Sequence, residues 1–289
     1  MIDTQVTWPD GAKCAVLLTF DFDAETLWTS RDPSNAKRPG TLSQGTYGAK
    51  VAVPSILQVL RDMGGLPATF FVPGWTAEHH TDRVEAILAD GHEVGHHSYS
   101  HKWVEPDDPA AELEEMEKGL EALERSVGVR PVGYRSPAGE TSPNLFRLLV
   151  ERGFLYDSSM MDAVNPYFHQ VDGDPRALVE LPWHWSLDDA VFMLFSIKSP
   201  RAIMTNEHVL TVWKDEFRAI YKAGGLFDLV MHPQVIGRPS RLELLRDFIA
   251  FAQGYPDVWF CTCRQAAEAF AGKRAAASEA GAAKRQATG

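Results

Sequence analysis

The feature that most constrains this chain is an alternation: short apolar runs take turns with amphipathic stretches along nearly its whole length. CAVLLTF (14–20), ATFFVPG (68–74), HEVGHHS (92–98), PVGYRSP (131–137), FLYDSSM (154–160), LVELPWHW (178–185), GLFDLVMHP (225–233) and VWFCTC (258–263) have the length and continuity of strands buried on both faces. Between them, residues 49–63, 76–89, 109–127, 142–153, 206–223 and 240–252 carry helical patterns, clearest where Leu113, Met116, Leu120 and Leu123 line up as one stripe. Pro54 interrupts the first of these helices near its start. Such alternation predicts a parallel sheet with crossover helices, and about seven or eight mainly parallel strands can close into a distorted (β/α) barrel. A chain of 289 residues, 45% hydrophobic, can fill one core of that kind. The expected fold class is therefore α/β, one catalytic domain over residues 1–272, with a flexible Ala-rich tail over 273–289.

In such barrels the functional groups collect at the carboxyl ends of the strands. Asp21, Asp23, His97, His101, Arg135, Asp157, Trp183 and His232 each fall late in an apolar run or just after it. The segment GHEVGHHSYSH holds four of the ten histidines, and His97 and His101 are four residues apart. One helical turn would put both imidazoles on the same side, where they could clasp a divalent ion or simply decorate a surface turn. Two histidines under-hold a metal and need a further ligand, most often a carboxylate. Asp21 and Asp23, two apart at a strand end, point the same way if the strand geometry persists, although acidic residues there can also cap a turn. His79 and His80 are expected to decorate the surface, and His92 and His96 to pack or hydrogen-bond within their strand.

Charge and composition exclude several classes. Lys plus Arg is 28 against 39 Asp plus Glu, a net charge of −11 that repels polyanions, so nucleic acid is not expected as a partner. The N-terminal sequence shows no secretory pattern and no segment has the apolar length of a membrane span, so a cytoplasmic protein without membrane association is expected. Cys14, Cys261 and Cys263 have the spacing of core thiols. The polar stretch over residues 29–48 is expected to be a long loop able to roof a site. The apolar run AVFMLFSI (190–197) is read first as core and second as a subunit contact, and a homo-oligomer is expected. Trp183, Trp185 and Tyr167 are candidate substrate-binding residues, their aromatic faces suited to a ring.

Taken in order, TFDFDAE, HSYSH, YRSPAG, YDSS and LVMHP resemble the motifs of the polysaccharide deacetylase family, carbohydrate esterase family four, over about residues 14–260. The resemblance implies a metal-dependent N-deacetylase-type site: Asp23, His97 and His101 as ligands, Asp21 as general base held by Arg135, and His232 as general acid oriented by Asp157. The implied metal is a divalent ion, zinc first, with manganese, cobalt or nickel as alternatives. Such an ion acidifies water and polarises a carbonyl, so the expected reaction is hydrolysis of a carbon–nitrogen bond other than a peptide bond. One departure bears on substrate. The family's usual first motif has adjacent aspartates, whereas here Phe22 separates Asp21 from Asp23. That form resembles a branch with peptidoglycan deacetylase-like proteins and cytosolic hydrolases of cyclic imides and allantoin. A small-molecule cyclic imide or related amide is the first expectation, a polysaccharide or peptidoglycan N-acetyl group the alternative, and a catalytically inactive binding protein the lesser one.

Overall fold

The computed structural model describes residues 6–171, 178–198 and 200–272. In chain order its strands are β1 (Cys14–Asp21), β2 (Thr69–Val72), β3 (Glu93–His96), β4 (Gly133–Tyr134), β5 (Tyr156–Asp157), β6 (Tyr167–Phe168), β7 (Val179–Glu180), β8 (Leu226–Met231) and β9 (Val258–Cys261). The helices are α1 (Thr26–Thr29), α2 (Pro39–Tyr47), α3 (Val53–Asp62), α4 (Gly74–His79), α5 (Thr81–Ala89), α6 (Pro109–Val127), α7 (Leu145–Glu151), α8 (Asp189–Met193), α9 (Asn206–Ala223), α10 (Pro233–Ile236) and α11 (Pro239–Gln253).

β1 is the strand on which the sheet is built. It is buried at all eight positions and pairs in parallel with β2, β8 and β9. Its side chains alternate, as the strand period of two demands. Val16, Leu18 and Phe20 pack outward in the main core beside α3, α9 and α11. Ala15 and Leu17 join a second cluster with Trp8, Cys261 and Cys263. Thr19 and Asp21 continue that second face at the carboxyl end, and there the lining turns polar. The strand order is β6-β7-β5-β4-β3-β2-β1-β8, with β9 against β1, and only the β6/β7 pair is antiparallel among the described residues. The sheet is thus a curled half-barrel. Its two edges are brought together by the segment leaving β7, which places Asp188 in a parallel bridge with Val230 of β8.

Several expectations need correction. The stretch over residues 29–48 is not a loop. It is the end of α1, a 3-10 turn (Pro33–Lys37) and α2. The α2 sequence PGTLSQGTY has no apolar stripe, so its helicity is fixed by packing. Gly45 lies so close to the backbone after Asp23 that a Cβ there would meet the Ala24 carbonyl oxygen at 2.4 Å. Thr46 Oγ1 donates to Glu25 Oε1 at 2.6 Å and Tyr47 Oη to the Gly237 carbonyl at 2.8 Å. Downstream, Pro54 sits in the first turn of α3, where its missing N–H costs nothing, and the chain before it winds as a π-type turn (Gly48–Ala52). Residues 76–89 form two helices, α4 and α5, that meet at His80.

The run 190–197 divides. Met193 is buried and Phe192 and Leu194 lean on the core, whereas Phe195 and Ile197 are exposed. The three cysteines are free and buried. No described helix is long and apolar enough to cross a membrane. The tail over 273–289 lies outside the described residues.

Candidate active site

Asp21 and Asp23 close β1 and the turn after it, and Phe22 between them turns away into the main core. Both carboxylates face His97: its Nε2 lies 3.9 Å from Asp21 Oδ2 and 3.5 Å from Asp23 Oδ1. The turn is firmly built. The Asp23 carbonyl accepts from Thr26 N, Thr26 Oγ1 and Thr76 Oγ1, at 3.1, 2.6 and 2.9 Å.

The clasp is not a helical turn. His97 follows β3, and residues 97–101 form a loop in which Ser98 and His101 both have φ of 59°. Helix α6 holds this loop in shape. Glu115 accepts from Tyr99 N and Ser100 N at 3.2 and 2.8 Å, and Ser98 Oγ accepts from His101 N at 3.0 Å. Gly119 allows the close approach, since a Cβ there would meet His96 Nε2 at 2.5 Å. His96 itself is buried against the Met116 carbonyl, as expected of a packed strand residue.

The orientation of the two imidazoles suits a metal ligand. His97 Nδ1 donates to the Arg135 carbonyl at 2.6 Å, which leaves Nε2 as the lone-pair nitrogen. His101 Nδ1 lies 3.4 Å from Ser30 Oγ. Burial lowers the pKa of both rings, that of His101 well below the ordinary value, which favours the neutral form that a metal ligand needs. Asp23 Oδ1 is 3.5 Å from His97 Nε2 and from His101 Nε2; ligands about 2.1 Å from a shared tetrahedral ion stand about 3.4 Å apart. Asp23 Oδ1 and His97 Nε2 are buried without a hydrogen-bond partner, a state that interiors avoid unless something else satisfies the atoms. The residues fit a divalent cation. Burial pushes the Asp23 carboxyl up to about 8, with Asp21 adding to the rise and His232 opposing it.

Arg135 follows β4 and spans the barrel interior. Its Nη1 donates to Asp21 Oδ1 at 3.1 Å and Thr19 Oγ1 at 2.9 Å, its Nη2 to Asp228 Oδ2 at 2.7 Å and Ser158 Oγ at 2.9 Å, and its Nε to the Ser158 carbonyl at 3.0 Å. Although burial alone would raise it, the charge of Arg135, with that of His232 behind it, brings the Asp21 pKa below the ordinary value. Asp21 is an ionised carboxylate pointed at His97 without belonging to the triangle of ligand atoms.

His232 ends β8 and opens α10. Its carboxylate partner differs from the one the sequence suggested. Asp189 Oδ1 lies 2.7 Å from His232 Nδ1 and its two oxygens accept from His232 N at 3.2 and 3.1 Å, with Asp188 4.0 Å away. Burial opposes a charged imidazole, but the two carboxylates win and the His232 pKa is raised well above its usual value.

Asp157 is elsewhere. It sits beside Glu180, its partner across the β5/β7 pairing, in a buried group with His169. Its neighbour Ser158 is the residue that faces Arg135. Tyr167 belongs to that group too, its ring 5.2 Å from His169 and its Oη donating to Asp162 at 2.8 Å. Trp183 is buried with its ring 5.9 Å from the Arg135 guanidinium, and half-exposed Trp185 meets it edge-on at 4.7 Å. The structure therefore gathers Asp21, Asp23, His97, His101, Arg135 and His232, with Trp183 against Arg135, and leaves Asp157 and Tyr167 apart. The sequence reading missed Asp189, Asp228 and Gln234, whose Nε2 donates to Asp23 Oδ2 at 3.3 Å. One signal for Asp189 was present: adjacent carboxylates, Asp188 and Asp189, stand two residues beyond a strand-like run.

With this geometry in place, comparison with known proteins is informative. Residues 40–156 match the family model described as polysaccharide deacetylase, a stretch that includes His97, His101 and Arg135. The chain is 30% identical to a peptidoglycan deacetylase of Helicobacter pylori over 86% of its own length and 94% of the relative's. Among solved structures, a Mycobacterium smegmatis protein assigned to the polysaccharide deacetylases is 40% identical, covering 95% of this chain and 96% of that one with a TM-score of 0.90. The PuuE allantoinase is 25% identical, covering 92% of each chain with a TM-score of 0.81.

Proposed function

Because this chain belongs to the polysaccharide deacetylase family, hydrolases of amide carbon–nitrogen bonds, we propose that it is a metal-dependent hydrolase of a small amide, a cyclic imide or ureide first. One observation carries the choice: Asp21, Asp23, His97, His101 and His232 are each at most 8% exposed, enclosed by their own strand-end segments, with Ser30 after α1 reaching His101 and α2 packed on the turn after Asp23. A compact ring suits such an enclosure better than a polymer. The likeness to an allantoinase supports the same class.

In this reading Asp23, His97 and His101 hold the ion, zinc or a similar first-row metal. When bound, it polarises the carbonyl and acidifies a water. Asp21 Oδ2 takes the proton of the attacking water, and Arg135 keeps that carboxylate ionised and aimed. His232 carries a proton to the departing nitrogen from the opposite side, with Asp189 on Nδ1 fixing the ring so that Nε2 faces the reacting bond. An imide nitrogen leaves as a stabilised amide anion and depends little on that proton; a sugar amine depends on it heavily. His232→Ala is therefore expected to keep a sizeable share of imide turnover while acetamide turnover collapses.

A second reading, deacetylation of a cell-wall or other glycan, is favoured by the full-length likeness to a peptidoglycan deacetylase. A screen of the metal-loaded protein on succinimide, hydantoin, allantoin and a chitin tetramer separates the two. Ring opening is expected; deacetylation of the tetramer with no ring opening would replace the first reading by the second.

A further inference from the structure

Asp21 and Asp23 are both buried, and the chain treats them differently. Asp21 receives a cation, the guanidinium of Arg135, at 3.1 Å. Asp23 receives a neutral amide: Gln234 Nε2 donates to its Oδ2 at 3.3 Å, the one hydrogen bond to that carboxylate among the described residues. The main chain of Asp23 is fixed by Thr26 and Thr76, so the rotation of the carboxylate itself is left to Gln234.

The difference matches two duties. A base must be ionised before it acts, and a neighbouring guanidinium secures that. A ligand carboxylate gains its counter-charge from the ion it binds, and a second cation beside it would repel that ion. An amide N–H orients the carboxylate without competing for its charge.

Gln234 is itself held in place. It is 5% exposed and belongs to α10, the four-residue turn that begins directly after His232. Across from it the π-type turn presents Gly48, where a Cβ would lie 3.2 Å from both Gln234 N and Gln234 Oε1. Tyr47, the residue before, donates to the Gly237 carbonyl at 2.8 Å and closes the same contact. Oε1 is buried there without a hydrogen-bond partner. Turning the amide over would set Oε1, an acceptor, against Asp23 Oδ2, another acceptor. One buried carbonyl is thus left unanswered so that Nε2 can face the carboxylate, an arrangement that interiors seldom keep.

We propose, resting on the metal-dependent hydrolase reading above, that Gln234 is a positioning residue for the ion: by occupying Asp23 Oδ2 it makes Asp23 a one-oxygen ligand through Oδ1, the atom 3.5 Å from both His97 Nε2 and His101 Nε2. A carboxylate free to turn can grip an ion with both oxygens and fill a coordination position that a catalytic site keeps open. Because Gln234 stands two residues after His232, one short turn carries both the proton donor and the restraint on the metal ligand.

Gln234→Met keeps the length of the side chain and removes its donor. Deleting a hydrogen bond together with an unanswered acceptor leaves stability near its starting value, so the metal-free variant should melt within about 3 °C of the unmodified protein. Its zinc affinity, read by competition with a chromophoric chelator, should fall by about 10- to 100-fold. The cobalt-loaded variant should show weaker visible absorption bands, the sign of added coordination. Gln234→Leu, different in shape and equally without a donor, should match it, so that a packing defect peculiar to one variant does not decide. Unchanged zinc affinity and cobalt bands in both variants would overturn the proposal, and so would a fall in affinity accompanied in both by a large loss of metal-free melting temperature, the mark of a packing residue. Failure of the parent reading looks different. If the unmodified protein holds zinc and both variants hold it weakly, but no amide or imide is turned over, Gln234 keeps its role and the hydrolase is rejected; turnover with equal zinc affinity in all three proteins would keep the hydrolase and reject the role of Gln234.

Discussion

Of the three buried histidine–carboxylate groups among the described residues, two invite comparison, and only one of them leaves a carboxylate oxygen and an imidazole nitrogen facing each other unanswered. Asp23, His97 and His101 meet at the carboxyl ends of β1 and β3; Asp157, His169 and Glu180 meet between β5, β6 and β7. In the second group nearly every polar atom is answered from within. Glu180 Oε2 is 2.6 Å from His169 Nε2, its Oε1 accepts from Ser159 N and Met160 N, each at 3.0 Å, and Asp157 Oδ1 accepts from Ser159 Oγ at 2.8 Å. Burial, with the Glu180 charge beside it, raises the Asp157 pKa well above the ordinary value, and Asp157 Oδ2 is left buried without a hydrogen-bond partner. In the first group the second nitrogen of each ring faces a partner outside the triangle, while Asp23 Oδ1 and His97 Nε2 point at one another's neighbourhood unanswered. Histidine–carboxylate proximity is therefore not the mark of a metal site. The mark is polar atoms that converge and remain unspent.

The contrast can be broken by exchanging the treatment of the two groups. The largest effect is expected at the first: His97→Ala should lose the tightly bound metal and abolish activity, whereas His169→Ala should retain one metal per chain and its turnover. Elemental analysis decides, and metal kept by the first variant or lost by the second would reverse the assignment. Next, Asp21→Asn should keep the metal and lose activity by about 10²- to 10⁴-fold, the range for a general base; joint loss of both would make Asp21 a ligand.

Stability tests the other group. Glu180→Gln removes the charge that His169 and two backbone N–H groups rely on, and a cost of about 2 kcal/mol in urea unfolding is expected, with metal content unchanged.

The smallest effects are in pH dependence. His232 has a raised pKa, so its proton is present through the neutral range and is lost as pH rises through the folded value. Asp189→Asn removes one of the two carboxylates that raise it, the one bonded to Nδ1, and the alkaline limb of kcat should move to lower pH. Asp157→Asn should leave that limb in place. Because the Asp157 pKa is raised by folding, the stability it contributes is full below its unfolded pKa and falls as pH rises through the folded one. The asparagine variant should flatten that decline, read as Tm against pH.

What could be read beforehand followed a simple division. Asp21 and Asp23, His97 and His101, Arg135 and His232 each end an apolar run, so their gathering at one end of the sheet followed from strand patterning alone. Asp189 and Asp157 exchanged places because no local pattern tells that the segment after β7 crosses to the far edge and meets β8 at Val230. The spacing of His97 and His101 suited a helical turn as well as the tight loop actually formed; what decides between them is Glu115 and Gly119 of α6, distant in sequence. The roof helices escaped notice because α2 has no apolar face of its own and is shaped by contact with the chain at Ala24 and Glu25.

The central position of β1 also dictates an order of assembly. Its partners come from residues 69–72, 226–231 and 258–261, so the sheet depends on contacts between distant parts of the chain, the kind that form late and slowly. The three proposed ligands lie within the first 101 residues, but their setting does not: the Arg135 carbonyl accepts from His97 Nδ1 and Gln234 Nε2 donates to Asp23 Oδ2. Asp228, His232 and the strand that carries them emerge more than a hundred residues later. The proposed site is therefore completed only when the carboxy-terminal strands have docked on β1, and an amino-terminal fragment is expected neither to hold an ion nor to turn over substrate.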